Sequence, residues 1–142
     1  EGHTVETKWD DLHLAYFSGF AMWNYLTSPF LFAEQGFAVE ELPPRREAGE
    51  ERRRMKVTFP RAIATHCREQ VFYVDDDDLI ARIDYVSDVS GGVRAAHYLS
   101  DYRDFGGIKF ATKRRAYFRN PDDTPNLERP LVAIDIAAIQ LS

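Results

Sequence analysis

His97, Tyr98, Asp101 and Tyr102 are the side chains in this sequence best placed for acid-base chemistry. Alternate residues of a strand share a face, so His97 and Asp101 fall on one side and Tyr98 and Tyr102 on the other. A histidine beside a carboxylate can act as a general base if that face turns into a cavity. The plainer reading is a surface pair, or a wall histidine with its hydrogen bonds satisfied. His66, Cys67 and Glu69 offer a nucleophile next to a base. In an extended segment, however, neighbours point to opposite faces, and His66 and Cys67 diverge. The run Asp75, Asp76, Asp77 and Asp78 invites a hard cation. It has neither the glycine nor the closing glutamate of a calcium loop, so it reads as a charged hairpin turn and no metal is expected. There is no serine elbow, no glycine-rich phosphate loop and no His-Glu-x-x-His, and no cofactor is implied.

These residues must be positioned by a small chain. With 142 residues, 44% hydrophobic and 29% charged, the sequence fits one globular domain with a core of its own. Aromatic residues make up 13%, a surplus that needs a place to be buried. A net charge of -5 argues against nucleic acid as a partner, since no global positive field exists to draw in a polyanion. Arg45, Arg46, Arg52, Arg53 and Arg54, and likewise Lys113, Arg114 and Arg115, read as solvated strand faces. The lone Cys67 excludes an internal disulfide framework and a multi-cysteine metal site. No stretch approaches the roughly 18 apolar residues of a membrane span, so stable membrane insertion is not expected. The expectation is a soluble protein of the bacterial cytoplasm or periplasm. Because the chain starts at Glu1 rather than Met, it is expected to be processed or part of something longer.

The spacing predicts one helix over 9–27, capped by Thr7 with Asp10 reaching back. Pro29 ends it by forcing Ser28 out of the helical region. Leu12, Tyr16, Phe20 and Trp23 recur at helical spacing, while Leu14, Phe17, Ala21 and Tyr25 put apolar area on other sides. Such a helix is either sandwiched in a core or is a lid over a cavity. From residue 37 onward the period becomes two. Strands are expected at 37–42 (stopped by Pro43 and Pro44), 53–59, 68–74, 79–86, 97–102, 108–118 and 131–141. Met55, Val57 and Phe59 alternate with Arg54, Lys56 and Thr58, one face buried and one wet. The loop 120–130 reads as a solvated connection. The fold class is therefore mainly β: a curved antiparallel up-and-down half-barrel of about seven strands with the aromatic-rich helix on its concave face. A helix of about 18 residues, roughly 27 Å long, covers part of such a sheet. The remainder is closed by a partner or left as a groove.

Two stretches carry a resemblance to known sequences. Asp101-Tyr-Arg-Asp-Phe-Gly-Gly-Ile-Lys-Phe110, running into Thr112-Lys-Arg-Arg115, is similar to the repeated hairpin of bacterial lipoprotein-sorting and lipoprotein-carrier half-barrels. The preceding hairpin, Phe72 to Tyr85, resembles its neighbour there, although Asp78 and Ala111 stand where those hairpins usually have Gly and Pro. Trp9-Asp-Asp-Leu-His-Leu-Ala-Tyr16 and the sheet after it also resemble the C-terminal half of a group of uncharacterised bacterial proteins with further strands upstream. The resemblance implies a curved sheet around an apolar cavity, a helical lid and acyl-chain binding. It brings no catalytic residues.

The leading expectation is thus a noncatalytic binding or carrier module for a lipophilic small molecule. Its contacts are expected to be Tyr16, Phe20 and Trp23 from the helix, packed on the same sheet face as Met55, Val57 and Phe59. Trp23 rather than Trp9 is expected at the cavity wall. Two alternatives are an enzyme using His97 and Asp101 as acid and base, and a structural half-sheet completed by a missing N-terminal segment or a homodimer.

Overall fold

The computed structural model describes residues 10–142. Helix α1 spans Asp11–Thr27, starting two residues later than expected, and is capped by Asp10. The Asp10 carboxylate accepts from the His13 backbone N–H at 2.9 Å, and the His13 ring turns back to the Asp10 N–H. This closes a capping box in which histidine takes the place of the usual Glu or Gln. Thr7 and Trp9 lie outside the described residues. Ser28 is extended before Pro29, and a 3-10 turn follows at Phe30–Ala33.

Seven strands then run in order: β1 (Ala38–Glu47), β2 (Glu50–Thr58), β3 (Glu69–Val74), β4 (Ile80–Ser87), β5 (Val93–Phe105), β6 (Ile108–Phe118) and β7 (Val132–Asp135). Each pairs antiparallel with its sequence neighbour in one sheet, β1 to β7, which does not close into a barrel. Directly opposed residues share a face, so the register fixes an inner row of Met55, Phe72, Ile83, His97 and Ala116 across five strands. Val57, Phe59, Phe72, Ile83, Tyr85 and Leu99 form the buried core on that side.

Four differences from the sequence reading have local causes. β1 does not stop at Pro43 and Pro44 but passes them on an irregularity between Leu42 and Arg45. The strand is at the sheet edge, where missing N–H donors cost least. β5 is much longer than 97–102 and carries Asp101 at φ 53, a left-handed residue inside a strand. Aspartate tolerates that conformation better than most residues. The strand changes face there, and Leu99 and Tyr102, three apart, both pack on the inner side. β7 keeps only four residues of the expected 131–141, its ladder ending at Lys113, beside this irregularity.

The fourth difference concerns the helix. Its buried residues are Ala21, Asn24 and Tyr25, whereas Tyr16 is 71% and Trp23 45% exposed. The expectation that Tyr16, Phe20 and Trp23 pack on the sheet is corrected for Tyr16 and Trp23, while Phe20 is half-buried. Phe20 meets Tyr16 and Phe17 edge-on at 5.5 and 5.4 Å. A polar anchor decides the docking face: Asn24 Nδ2 donates to Phe20 O at 2.8 Å and across to Ala64 O at 3.1 Å. Phe32 and Phe37 fill the inner face near β2 and β3 instead, with ring centroids 4.8 Å (Phe32 to Phe72) and 5.0 Å (Phe37 to Phe59) apart.

The outer face of the central strands is polar yet dry. Arg82 is 1% and Asp84 4% exposed, joined by a two-pronged contact at 2.6 and 2.9 Å. Glu47 and the Asp123 carbonyl take further Arg82 donors, and Tyr73 Oη donates to Asp84. The 120–130 segment is therefore anchored rather than merely solvated, since Asp123 also gathers Arg45, Arg94 and Arg119.

Candidate functional site

The polar groups of the inner face converge where the last turn of α1 meets β4, β5 and β6. Tyr25 projects from that turn, and its ring centroid lies 4.6 Å from His97 and 5.8 Å from His66, edge-on to both. Tyr85 from β4 packs on His66 at 4.3 Å. His66 is 1% and His97 0% exposed, and no ring nitrogen of either has a hydrogen-bond partner among the described residues. Burial drives the His66 pKa down to about 4. It drives His97 well below its ordinary range, helped by the nearby Arg114 charge and by His66. Both rings are therefore neutral near pH 7. Burial likewise raises the Tyr25 and Tyr85 phenols, which lie beside one another.

Arg114 reaches this cluster from β6. It stands opposite Leu99, which places it on the inner face with Ala116, two residues away. Lys113 and Arg115 point to the other side, and Arg115 pairs with Asp135 there at 2.8 Å. Reading all three as a solvated face is thus corrected for the middle one, by strand alternation alone. Arg114 is 2% exposed, its guanidinium 5.2 Å from the Tyr25 ring centroid. Its Nη2 donates to Tyr25 O at 2.8 Å. The bond satisfies a carbonyl that the helix leaves open and brings positive charge to a C-terminal turn with no basic residue of its own.

Beside Arg114 is a cavity of about 280 Å³ between Tyr25–Phe30 and the inner side of β4 to β6. Its apolar walls come from Phe30, Ile80, Leu99, Ile108, Phe110 and Ala111, with Tyr25, Tyr102 and Arg114 supplying polar groups. Tyr102 Oη donates to Ile80 O at 2.6 Å. A second cavity of about 430 Å³ adjoins it across Pro29, Asp78 and Ile80 and runs to Val39, Met55 and Val74.

Of the residues expected to line a ligand site, only Met55 borders one of these cavities. Val57 and Phe59 are sealed within the core at 0% and 1% exposure. His97 and Asp101 are not brought together: the first is buried, and the second is exposed on its left-handed kink. Tyr98 faces outward, where it meets Arg82 and Glu47, while Tyr102 faces inward. Cys67 is buried with its thiol donating to Glu69 O. Asp75 closes its hairpin through Asp77 and Leu79 backbone N–H groups. Among the described residues no group of three or more His, Cys, Asp or Glu side chains is placed to hold a metal ion.

No family model matches the chain, and no curated protein does. The crystal structure of a DUF1329 family protein from Desulfovibrio piger is similar in part, with 21% identity and a TM-score of 0.45. The match covers 62% of this chain and spans 36% of the length of that one. No helix among the described residues is long and apolar enough to cross a membrane.

Proposed function

We propose that the protein is a noncatalytic binding or carrier module for a lipophilic, acyl-chain-like ligand seated between the end of α1 and β4 to β6. The observation that carries this reading is the half-open, largely apolar cavity at Leu99, Ile80 and Ala111, beside a second one toward Met55 with which it shares Pro29, Asp78 and Ile80. Together they offer a path for a single chain, and each methylene buried there contributes about 0.8 kcal/mol. The hairpin resemblance to lipoprotein-carrier half-barrels supports the same reading, with the contacts moved from Tyr16, Trp23, Val57 and Phe59 to the cavity walls. The enzymatic alternative has lost its carboxylate, since Asp101 lies in solvent and His97 has no acid beside it.

The test is titration with N-phenyl-1-naphthylamine, a neutral lipophilic dye, followed by competition with 1-dodecanol. Saturable fluorescence gain reversed by the alcohol is expected. Dye uptake that never saturates, or that the alcohol leaves untouched, would sink the proposal.

A further inference from the structure

We infer that Arg114 makes this cavity selective for a single-chain amphiphile with a carboxylate head group; the inference rests on the binding-module reading above. Arg114 is 2% exposed, and two of its three nitrogens, Nε and Nη1, have no hydrogen-bond partner. Among the described residues no carboxylate lies within ion-pair distance of it. The same chain treats its other deeply buried arginine differently. Arg82, at 1% exposure, is paired with Asp84 at 2.6 Å and Glu47 at 2.8 Å and also bonds the Asp123 carbonyl. A buried guanidinium costs stability unless an anion and further acceptors compensate it. At Arg82 the fold supplies both. At Arg114 it supplies one carbonyl, and the cavity lies alongside.

Capping the helix explains Nη2 and leaves the other two donors over. The remaining charged groups around the cavity, Asp78 and Lys109, are exposed, and Asp78 is already engaged by Arg53. The Tyr102 hydroxyl is committed to Ile80 O. Lys109 is the other cation at the wall, exposed where Arg114 is buried, so Arg114 is the one whose charge an anion in the cavity would compensate away from water. A carboxylate fits a guanidinium in geometry as well as charge, accepting parallel N–H bonds. Nε and Nη1 lie beneath the cavity surface in the described conformation and point to different sides of the guanidinium, so a turn of the group is needed to bring one of them, together with Nη2, into a parallel pair. With the head on Arg114, the tail runs past Leu99 and Ile80 into the adjoining space toward Met55. At about 280 Å³, the head-group cavity is at the small end for ligand sites and suits one chain rather than two.

Isothermal titration calorimetry with laurate, 1-dodecanol and dodecylammonium, three heads on one chain length, tests this on the unaltered protein. Laurate should bind about ten- to a hundredfold more tightly than the alcohol, the span that hydrogen bonds to a charged group supply. Dodecylammonium should bind most weakly. Arg114→Met should bring the laurate-to-dodecanol ratio close to one, and Arg114→Lys should keep part of the preference. If the alcohol binds as well as laurate, the role of Arg114 is refuted while the binding module stands. If none of the three binds, both readings fail. A laurate preference that survives in a folded Arg114→Met protein would overturn the assignment to Arg114.

Discussion

Lowering the pH from 7 to 5 should destabilise the fold through the two buried histidines. Their folded-state pKa values are depressed, His66 to about 4 by burial and His97 well below its ordinary range, by burial first and then by the Arg114 charge. In the unfolded chain both return toward 6.5. The unfolded state therefore binds more protons at every pH between those limits. Stability is fully present above about pH 6.5 and is lost as pH falls toward the folded values. For His66 alone, the linkage relation gives a loss of about 2 kcal/mol between pH 7 and pH 5. His97 adds a loss of the same sign. Against a typical total of 5–15 kcal/mol this is easily measured. Urea unfolding followed by circular dichroism across that range provides the assay, with His66→Phe and His97→Phe each expected to flatten the slope. The low-titrating carboxylates of Asp122 and Asp123 change charge below this window and do not blur it. A wild-type stability that stays flat from pH 7 to pH 5 would refute the account of two neutral, solvent-free rings.

Three further outcomes follow from the same structure. Arg82→Leu should cost about 3–5 kcal/mol in chemical denaturation, because it strands the buried Asp84, and adding Asp84→Leu should recover much of that loss. Asp101→Gly should hold or raise the melting temperature, while Asp101→Val should lower stability by about 1–3 kcal/mol, since a β-branched residue resists the left-handed backbone. Tyr16→Ser should stay within about 0.5 kcal/mol of wild type, as an exposed side chain should.

Much of the sheet was legible because period-two patterning and short turns encode it. β6 matches its expected bounds, and Met55, Val57 and Phe59 alternate as read. Legibility failed where one residue breaks the alternation. Asp101 reverses the face of β5, which no count from His97 to Tyr102 reveals until its backbone is known. The helix misled for a different reason: its large aromatics suggested the docking side, but tertiary anchoring through Asn24 chose the side with Ala21 and Tyr25. Apolar area on several sides of a helix leaves that choice to the partner surface. Arg114 was within reach of the sequence. Strand alternation separates it from Lys113 and Arg115 and predicts one buried cation, a more informative sign than three exposed ones.

The central claim, a cavity that takes an acyl chain between α1 and β4 to β6, is tested most directly by methyl-resolved nuclear magnetic resonance during titration with 1-dodecanol. Ile80, Leu99, Ile108 and Ala111 line the cavity and report on it, while Leu12, Leu127 and Leu131 are exposed and serve as controls. The account predicts saturable shifts confined to the first group, with Met55 following as the chain extends into the adjoining space. Shifts centred on the exposed leucines, or no shift at the cavity methyls at saturating alcohol, would contradict it.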